Sequence, residues 1–247
     1  MSVADASELK KAIRDLVIAN RILAHEGVVD AYGHVSVRHP VDAARFLLSR
    51  SRSPELVEAD DIMEFALDGE ALQGEGHPPY LERFIHSAIY EARPDVRAVV
   101  HSHAESVLPY TISSVPLRAV FHAAAVIGAT LPVWDIRDRF GDTNLLVANT
   151  DHGRDLARRL GDANVALMRG HGFTAVGRSL IEVLRIAVYL PANARIMTDA
   201  VRLGGSIKAL SDGEIACQSA LDPQSAAIQR AWEYWARRAG CGDMLGA

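Results

Sequence analysis

Apolar residues recur every three to four positions in several long stretches of the chain, the pattern of helices with one buried face. The first stretch begins after Ser7, a residue type that caps helices well, and ends before Gly27. Ser179 with Glu182 three residues later forms a capping-box pattern in front of the longest stretch. The pattern predicts helices over residues 7–25, 78–91, 151–161, 179–203 and 222–239.

Shorter apolar runs between these helices have the length and alternation of β-strands. They cover residues 35–38, 45–49, a segment before the Asp68-Gly69 turn, 96–103, 145–148, and two segments within 165–177. No internal repeat or linker divides the chain. The pattern therefore predicts a single α/β domain over residues 1–247, with a central, mainly antiparallel β-sheet and helices packed on both sides.

Composition narrows the range of functions. The net charge of -5 is spread along the chain, and no basic block indicates nucleic-acid binding. No apolar run approaches the roughly 20 residues of a membrane helix, and the N-terminus has no apolar signal core. Cys217 and Cys241 form no metal-binding or disulfide pattern. We expect a cytoplasmic protein that acts on a small molecule.

Three histidines are the first candidates for chemistry. His101 and His103 are two residues apart at the end of an apolar strand, so their side chains point the same way with Cα atoms about 6.5 Å apart. His171 lies between two glycines just after another strand. Three protein ligands and one open position are typical of a catalytic zinc site. Taken singly, a histidine at a strand end is more often an ordinary hydrogen-bonded group than a ligand.

The sequence also resembles the class II aldolase/adducin family over roughly residues 8–205, which leaves 206–247 as a C-terminal helical tail. The matching segments are "YGHVSVR", "PPYLERFIHSAIYEARPDVRAVVHSH" and "LMRGHGFTAVG", in the order of the family. The resemblance implies that His101, His103 and His171 bind a divalent metal, zinc or manganese with iron or cobalt possible. It also implies that Glu82 is the catalytic acid/base, and that the protein is a homotetramer with active sites at subunit interfaces.

The departures from the family concern the substrate. Sugar-phosphate members cradle the phosphate with small polar residues, but this chain has His34, an Arg50/Arg52 pair and Pro79-Tyr80 near those positions. Arginine binds carboxylates in a two-pronged geometry. We expect Arg52 to contact a substrate carboxylate, with His34, Arg50 and Tyr80 as further substrate-binding candidates. A solvated strand edge for Arg50 and an ordinary turn histidine for His34 are the alternatives.

Two more residues are candidates for the pocket wall. His122 follows a short strand, and Tyr189 lies on the long helix. The alternatives are a buried hydrogen-bonded histidine and a core tyrosine. The aromatic tail contains two tryptophans and a tyrosine, and we expect it to pack on a neighbouring subunit.

The Arg-rich variant resembles the family's decarboxylase-like subgroup, which includes hydroxy-methylpyridine-dicarboxylate and dihydroxyphthalate decarboxylases. The resemblance implies a metal-dependent carbon–carbon lyase, a decarboxylase of a hydroxylated aromatic or heteroaromatic acid. In such an enzyme the metal stabilises the enolate or carbanion that remains. The alternatives are a retro-aldolase or epimerase of a small hydroxy-carbonyl or sugar-phosphate substrate, and a non-catalytic adducin-like assembly module.

Overall fold

A computed structural model describes residues 2–72, 76–219, 222 and 225–246. Its strands are β1 His34–Arg38, β2 Arg45–Ser49, β3 Ile62–Ala66, β4 Ala98–Ser102, β5 Val133–Trp134, β6 Val165–Met168 and β7 Gly172–Gly177. Its α-helices are α1 Val3–His25, α2 Arg83–Ala92, α3 Leu108–Thr111, α4 Arg137–Phe140, α5 Thr150–Leu160, α6 Leu180–Leu203, α7 Asp212–Ser219 and α8 Ala226–Arg238.

The strands form one sheet in the order β3-β2-β1-β4-β7-β6-β5. Each neighbouring pair is antiparallel except β5 and β6, which run parallel. In the register between β1 and β4, His34 is directly opposite His101. The predicted mainly antiparallel sheet is confirmed, and its central strands bring two sequence-distant histidines together.

Each face of the sheet carries its own apolar core, because side chains alternate between faces along a strand. Val35 and Val37 of β1 belong to the core beneath α1 and α6. Phe46 of β2 and Val99 of β4 belong to the core beneath α2 and α5. The predicted placement of helices on both sides of the sheet is therefore confirmed.

The first helix begins earlier than predicted. Ser2, not Ser7, is the capping residue: its hydroxyl accepts a hydrogen bond from the Asp5 N–H, and the Asp5 carboxylate accepts one from the Ser2 N–H. This reciprocal pair satisfies two N–H groups that have no partner inside the helix. Ser7 consequently lies within α1.

The second helix begins later than predicted, at Arg83, so Glu82 is its capping residue and does not lie in its first turn. Pro78 and Pro79 do not open this helix. Their segment runs beside the end of β2, where Ser51 donates its N–H to the Pro78 carbonyl at 2.8 Å. This pairing holds the two prolines in extended backbone, the conformation that proline tolerates at a sheet edge.

The predicted strand over residues 145–148 is absent from the described sheet. Leu145 has a φ of 67°, which breaks extended backbone. The Val147 N–H donates to the side chain of Glu82 at 2.9 Å instead of to another strand. The segment is a loop that holds a candidate catalytic residue.

The C-terminal tail packs on its own chain. Helix α8 lies against α1, and Trp235 is buried with its ring 6.0 Å from that of Tyr189, centroid to centroid. Part of the apolar side of the tail is thus covered within the chain, while Tyr234 is 53% exposed, and packing of the tail on a neighbouring subunit stays a prediction. No helix among the described residues is long and apolar enough to cross a membrane.

Candidate metal centre

Three imidazole nitrogens meet where β4 ends beside the turn between β6 and β7. The Nε2 atom of His103 lies 3.0 Å from Nε2 of His101 and 3.2 Å from Nε2 of His171. His101 lies on β4, His103 just past its end, and His171 in the turn. Because β4 pairs with β7, the turn is held next to the strand end.

Glycine makes this close approach possible. Gly170 has a φ of 64°, in the left-handed region that glycine tolerates best. A Cβ atom on Gly172 would lie 2.0 Å from the Ser102 carbonyl oxygen. The two glycines around His171 are therefore needed to bring its ring onto β4.

The donor set fits a divalent cation. His101 Nδ1–H donates to the Phe173 carbonyl at 3.0 Å, which leaves its Nε2 lone pair facing the other two rings. Burial lowers the pKa of His101 well below its ordinary value, so this ring is neutral. Neutral nitrogens only about 3 Å apart repel one another unless a positive charge lies between them. Zinc and related ions bind neutral imidazole in this way.

Glu82 completes the cluster. Its Oε2 atom lies 3.6 Å from His101 Nε2 and 3.5 Å from His171 Nε2, and its Oε1 atom accepts the Val147 N–H. Burial raises the pKa of this carboxyl, but the hydrogen bonds from His171 and the Val147 N–H and the proximity of the His101 ring outweigh it, and the net pKa is well below the ordinary value. The resting carboxylate is therefore ionised.

A cavity of about 540 Å³ opens onto this cluster. Its volume is within the range of small-molecule sites. Six of the predicted site residues are among those that line it: His34, Arg52, Tyr80, Glu82, His103 and His171. His101 lies directly behind the wall, with its ring centroid 5.1 Å from that of His34. The structure thus brings seven of the ten predicted site residues together.

The two arginines share one partner. Arg50 Nε and Arg52 Nη1 bond to the two carboxylate oxygens of buried Asp61 at 2.6 and 2.8 Å. Arg52 lines the cavity, and Arg50 is not among its lining residues. The Tyr80 hydroxyl donates to the Arg52 carbonyl, so its ring contributes to the wall while its hydrogen is engaged. Asp61 therefore orients Arg52 toward the cavity.

His122 and Tyr189 are not brought to this cavity. His122 is exposed at the start of a short 3-10 helix, and its ring contacts Phe121. Tyr189 packs between Phe121 and Trp235, on the opposite face of the sheet.

Two further residues, not predicted from the sequence, lie beside the site. Asp30 lies 3.5 Å from His103 Nδ1, and His86 of α2 bonds to His34 at 2.7 Å between ring nitrogens. His86 follows Glu82 by four residues, about one helical turn, so the predicted helix over residues 78–91 would carry both on one face. That spacing was the available signal.

The chain matches the class II aldolase and adducin N-terminal domain over residues 14–198, and it belongs to this family. The family match, the fold and the three-histidine centre together identify the chain as a class II aldolase/adducin-type protein. The resemblance stated from its motifs is thereby confirmed.

Curated relatives of this chain include decarboxylases. The chain is 36% identical to decarboxylase tropJ of Talaromyces stipitatus, over 94% of this chain and 95% of that protein. It is 30% identical to a 3,4-dihydroxyphthalate decarboxylase of Arthrobacter keyseri, over 81% of this chain and 83% of that protein. Among solved structures, an aldolase II superfamily protein from Pseudomonas syringae has a TM-score of 0.78 at 21% sequence identity. The match covers 97% of this chain and 96% of that protein. The last similarity shows a shared fold.

Asp30→Asn is expected to weaken metal binding by about tenfold, since carboxylates that orient a ligating imidazole are worth about 10–100-fold in affinity and this carboxylate is largely exposed. The measurement is a competition titration against a chelator with zinc. Asp42→Asn, on another loop and paired with Arg45, is the control and keeps the wild-type affinity. Equal affinities for the two variants would remove Asp30 from the site.

Proposed function

We propose that this protein is a divalent-metal-dependent decarboxylase of a hydroxylated aromatic or heteroaromatic carboxylic acid. The observation that carries the proposal is that Arg52 lines the same cavity as His103, His171 and Glu82, with His101 directly behind its wall. A cation and a metal-binding cluster in one cavity suit a substrate with two anionic groups. The decarboxylase names of two relatives support the same reaction.

The three imidazoles would hold the metal through their Nε2 atoms, with zinc or manganese as the first candidates because imidazole binds both. When bound, the ion supplies Lewis-acid stabilisation of the negative charge left on the substrate as CO2 departs. His101 and His103 are oriented for this task by the Phe173 carbonyl and Asp30.

Arg52 is proposed to hold a carboxylate that stays on the product. Its Nη1 atom is committed to Asp61, which leaves the other side of the guanidinium for the cavity. A guanidinium held in this way matches the planar geometry of a carboxylate. The substrate would then lie with its reacting carbon between Arg52 and Glu82.

Glu82 is proposed to move the proton. As a resting carboxylate it accepts the proton of the ring hydroxyl next to the departing group. The bond from the ring carbon to the carboxylate then breaks, the electron pair stays on the ring carbon and CO2 leaves. Glu82 returns the proton to that carbon, so the ring carbon gains one hydrogen and the Glu82 carboxylate is regenerated. The ring oxygen, left deprotonated, takes up one proton from solvent as the product is released.

A homotetramer in the cytoplasm remains part of the proposal. Two apolar side chains at the cavity, Tyr32 and Leu81, are 72% and 50% exposed, and a neighbouring subunit would cover them. Light scattering on the purified protein is expected to give four times the chain mass of 26.8 kDa. A monomer would remove the interface from the proposal.

The reaction is tested by CO2 release from the metal-loaded protein. The panel contains 3,4-dihydroxyphthalate, other ortho-hydroxy aromatic acids and hydroxylated pyridine dicarboxylic acids, and phosphorylated and free hydroxy-carbonyl sugars are assayed in parallel for aldehyde. CO2 from a hydroxy acid is expected. Aldehyde from a sugar without any CO2 would contradict the proposal and favour the retro-aldol alternative, and no turnover of either class would favour an assembly module.

Arg52→Ala is expected to raise KM for a dicarboxylate about 10–100-fold, since hydrogen bonds to charged groups contribute about 1.5–3 kcal/mol and 1.4 kcal/mol is tenfold. We expect kcat to change less, because the carboxylate is bound before and after the reaction. Steady-state kinetics measure both constants. Arg45→Ala removes an arginine paired on the neighbouring strand and is the control. A KM equal to that of wild type would exclude Arg52 from substrate binding.

A further inference from the structure

A buried chain of hydrogen bonds runs from the cavity into the core beneath α2. His34 Nδ1 bonds to His86 Nε2 at 2.7 Å, and His86 Nδ1 bonds to Ser36 Oγ at 2.6 Å. Ser36 Oγ bonds in turn to the Tyr90 hydroxyl at 2.8 Å. The four residues are the His34 relay, and each of them is at most 1% exposed.

The relay results from the side-chain spacing of a strand and of a helix. His34 and Ser36 are two apart on β1, so both side chains leave the same face of the sheet. His86 and Tyr90 are four apart on α2, so both lie on the same face of the helix. Where the helix packs over the strand, the two pairs interleave.

The direction of every hydrogen bond follows from the end at Tyr90. Among the described residues, Ser36 Oγ is the acceptor that the structure gives the phenol hydrogen. Burial raises the pKa of Tyr90, and the peptide N–H next to its oxygen, that of Val99, is itself a donor. Leaving a buried O–H unpaired is strongly disfavoured. Tyr90 therefore donates to Ser36.

The remaining hydrogens are then fixed one after another. Ser36 has the partners Tyr90 and His86 in the described structure, and since it accepts from Tyr90 its own hydrogen must go to His86 Nδ1. A neutral His86 then carries its hydrogen on Nε2 and donates it to His34 Nδ1. Burial lowers the pKa of His86 to about 3, which keeps the ring neutral.

We propose that His86, Ser36 and Tyr90 are positioning residues that fix His34 as the Nε2–H tautomer, so that the cavity presents an N–H donor to a substrate carboxylate. That the ligand is a carboxylate rests on the proposed function. The tautomer of His34 follows from the hydrogen bonds of the relay alone. Arg52 and His34, which both line the cavity, then offer it hydrogen-bond donors. The site accepts a carboxylate there and disfavours an ammonium or another donor group.

The tautomer is measured directly by long-range 1H–15N NMR on zinc-loaded protein labelled with 15N-histidine. His34 is assigned by comparison with His34→Gln. The expected spectrum shows hydrogen on Nε2 and none on Nδ1. A hydrogen on Nδ1, alone or together with one on Nε2, would overturn the proposal.

Tyr90→Phe tests the origin of the relay with little change in shape. Without the phenol hydrogen, Ser36 is free to accept from His86, so the Nδ1–H tautomer of His34 is expected to appear in the spectrum. KM for 3,4-dihydroxyphthalate is expected to rise roughly tenfold with kcat changed less than about threefold, the size of one lost hydrogen bond to a charged group. Metal content should not change. A purely structural role for Tyr90 would leave the tautomer as in wild type.

Tyr110→Phe is the matched control, because Tyr110 is also buried and its hydroxyl bonds to Ala194 and Thr198 on the other face of the sheet. Tyr110→Phe is expected to keep the wild-type tautomer of His34 and the wild-type KM.

The proposed decarboxylase reaction and the proposed tautomer of His34 can be rejected independently of each other. An Nε2–H signal without CO2 release from any acid would retain the tautomer and reject the decarboxylase, whereas CO2 release with an Nδ1–H signal would reject the relay alone.

Discussion

His103→Ala is expected to empty the metal centre. His103 Nε2 is within 3.2 Å of both other imidazole nitrogens, so its loss leaves two nitrogen ligands where three converge. Partners that only orient a ligand are already worth about 10–100-fold in affinity, and we expect the loss of a ligand to cost more than about 100-fold. The check is metal content by mass spectrometry after dialysis against a weak chelator, together with CO2 release.

The loss of metal and of turnover is expected to be specific to His103. His25→Ala, at the exposed end of α1, is the control and is expected to retain wild-type metal content and turnover. His103→Ala is expected to fold, because His103 lies past the end of β4 and its side chain is not part of either apolar core. Circular dichroism checks that the variant is folded. Normal metal content in a folded His103→Ala protein would refute the three-histidine centre.

The parts of the site that could be predicted from sequence are those set by local geometry. His101 and His103 converge because residues two apart leave one face of a strand, and His171 reaches them because flanking glycines permit a tight turn. The cavity position of Arg52 followed from the family comparison and is consistent with the structure. Periodicity alone also predicted the long helices that cover the sheet.

The parts that sequence reasoning missed depend on contacts between distant segments. His86 became part of a relay only because α2 packs over β1, and a residue-by-residue pattern contains no information about that pairing. Glu82 was predicted inside a helix, yet the prolines before it pair with the end of β2 and delay the helix start. Likewise, residues 145–148 have a strand-like composition, but one backbone N–H there is used by Glu82.

Glu82→Gln is expected to retain the metal and lose turnover by about 10²–10⁴-fold, the usual contribution of a positioned acid or base. Glutamine keeps the shape of the side chain and an oxygen that can accept the Val147 N–H, so the loop should stay in place. The glutamine amide cannot take up and return a proton near neutral pH. Single-turnover CO2 release and metal content on the same sample separate the two effects.

Glu91→Gln provides the matched control, since Glu91 lies on α2, carries the same change and is paired with Arg154 at the surface. Its turnover is expected to equal that of wild type. If Glu82→Gln retained full turnover, the proton would have to come from another group that lines the cavity, and His34 with its Nε2–H would be the first to examine. If Glu82→Gln instead lost the metal, the carboxylate would be a ligand, because it lies no farther than 3.6 Å from two of the imidazole nitrogens.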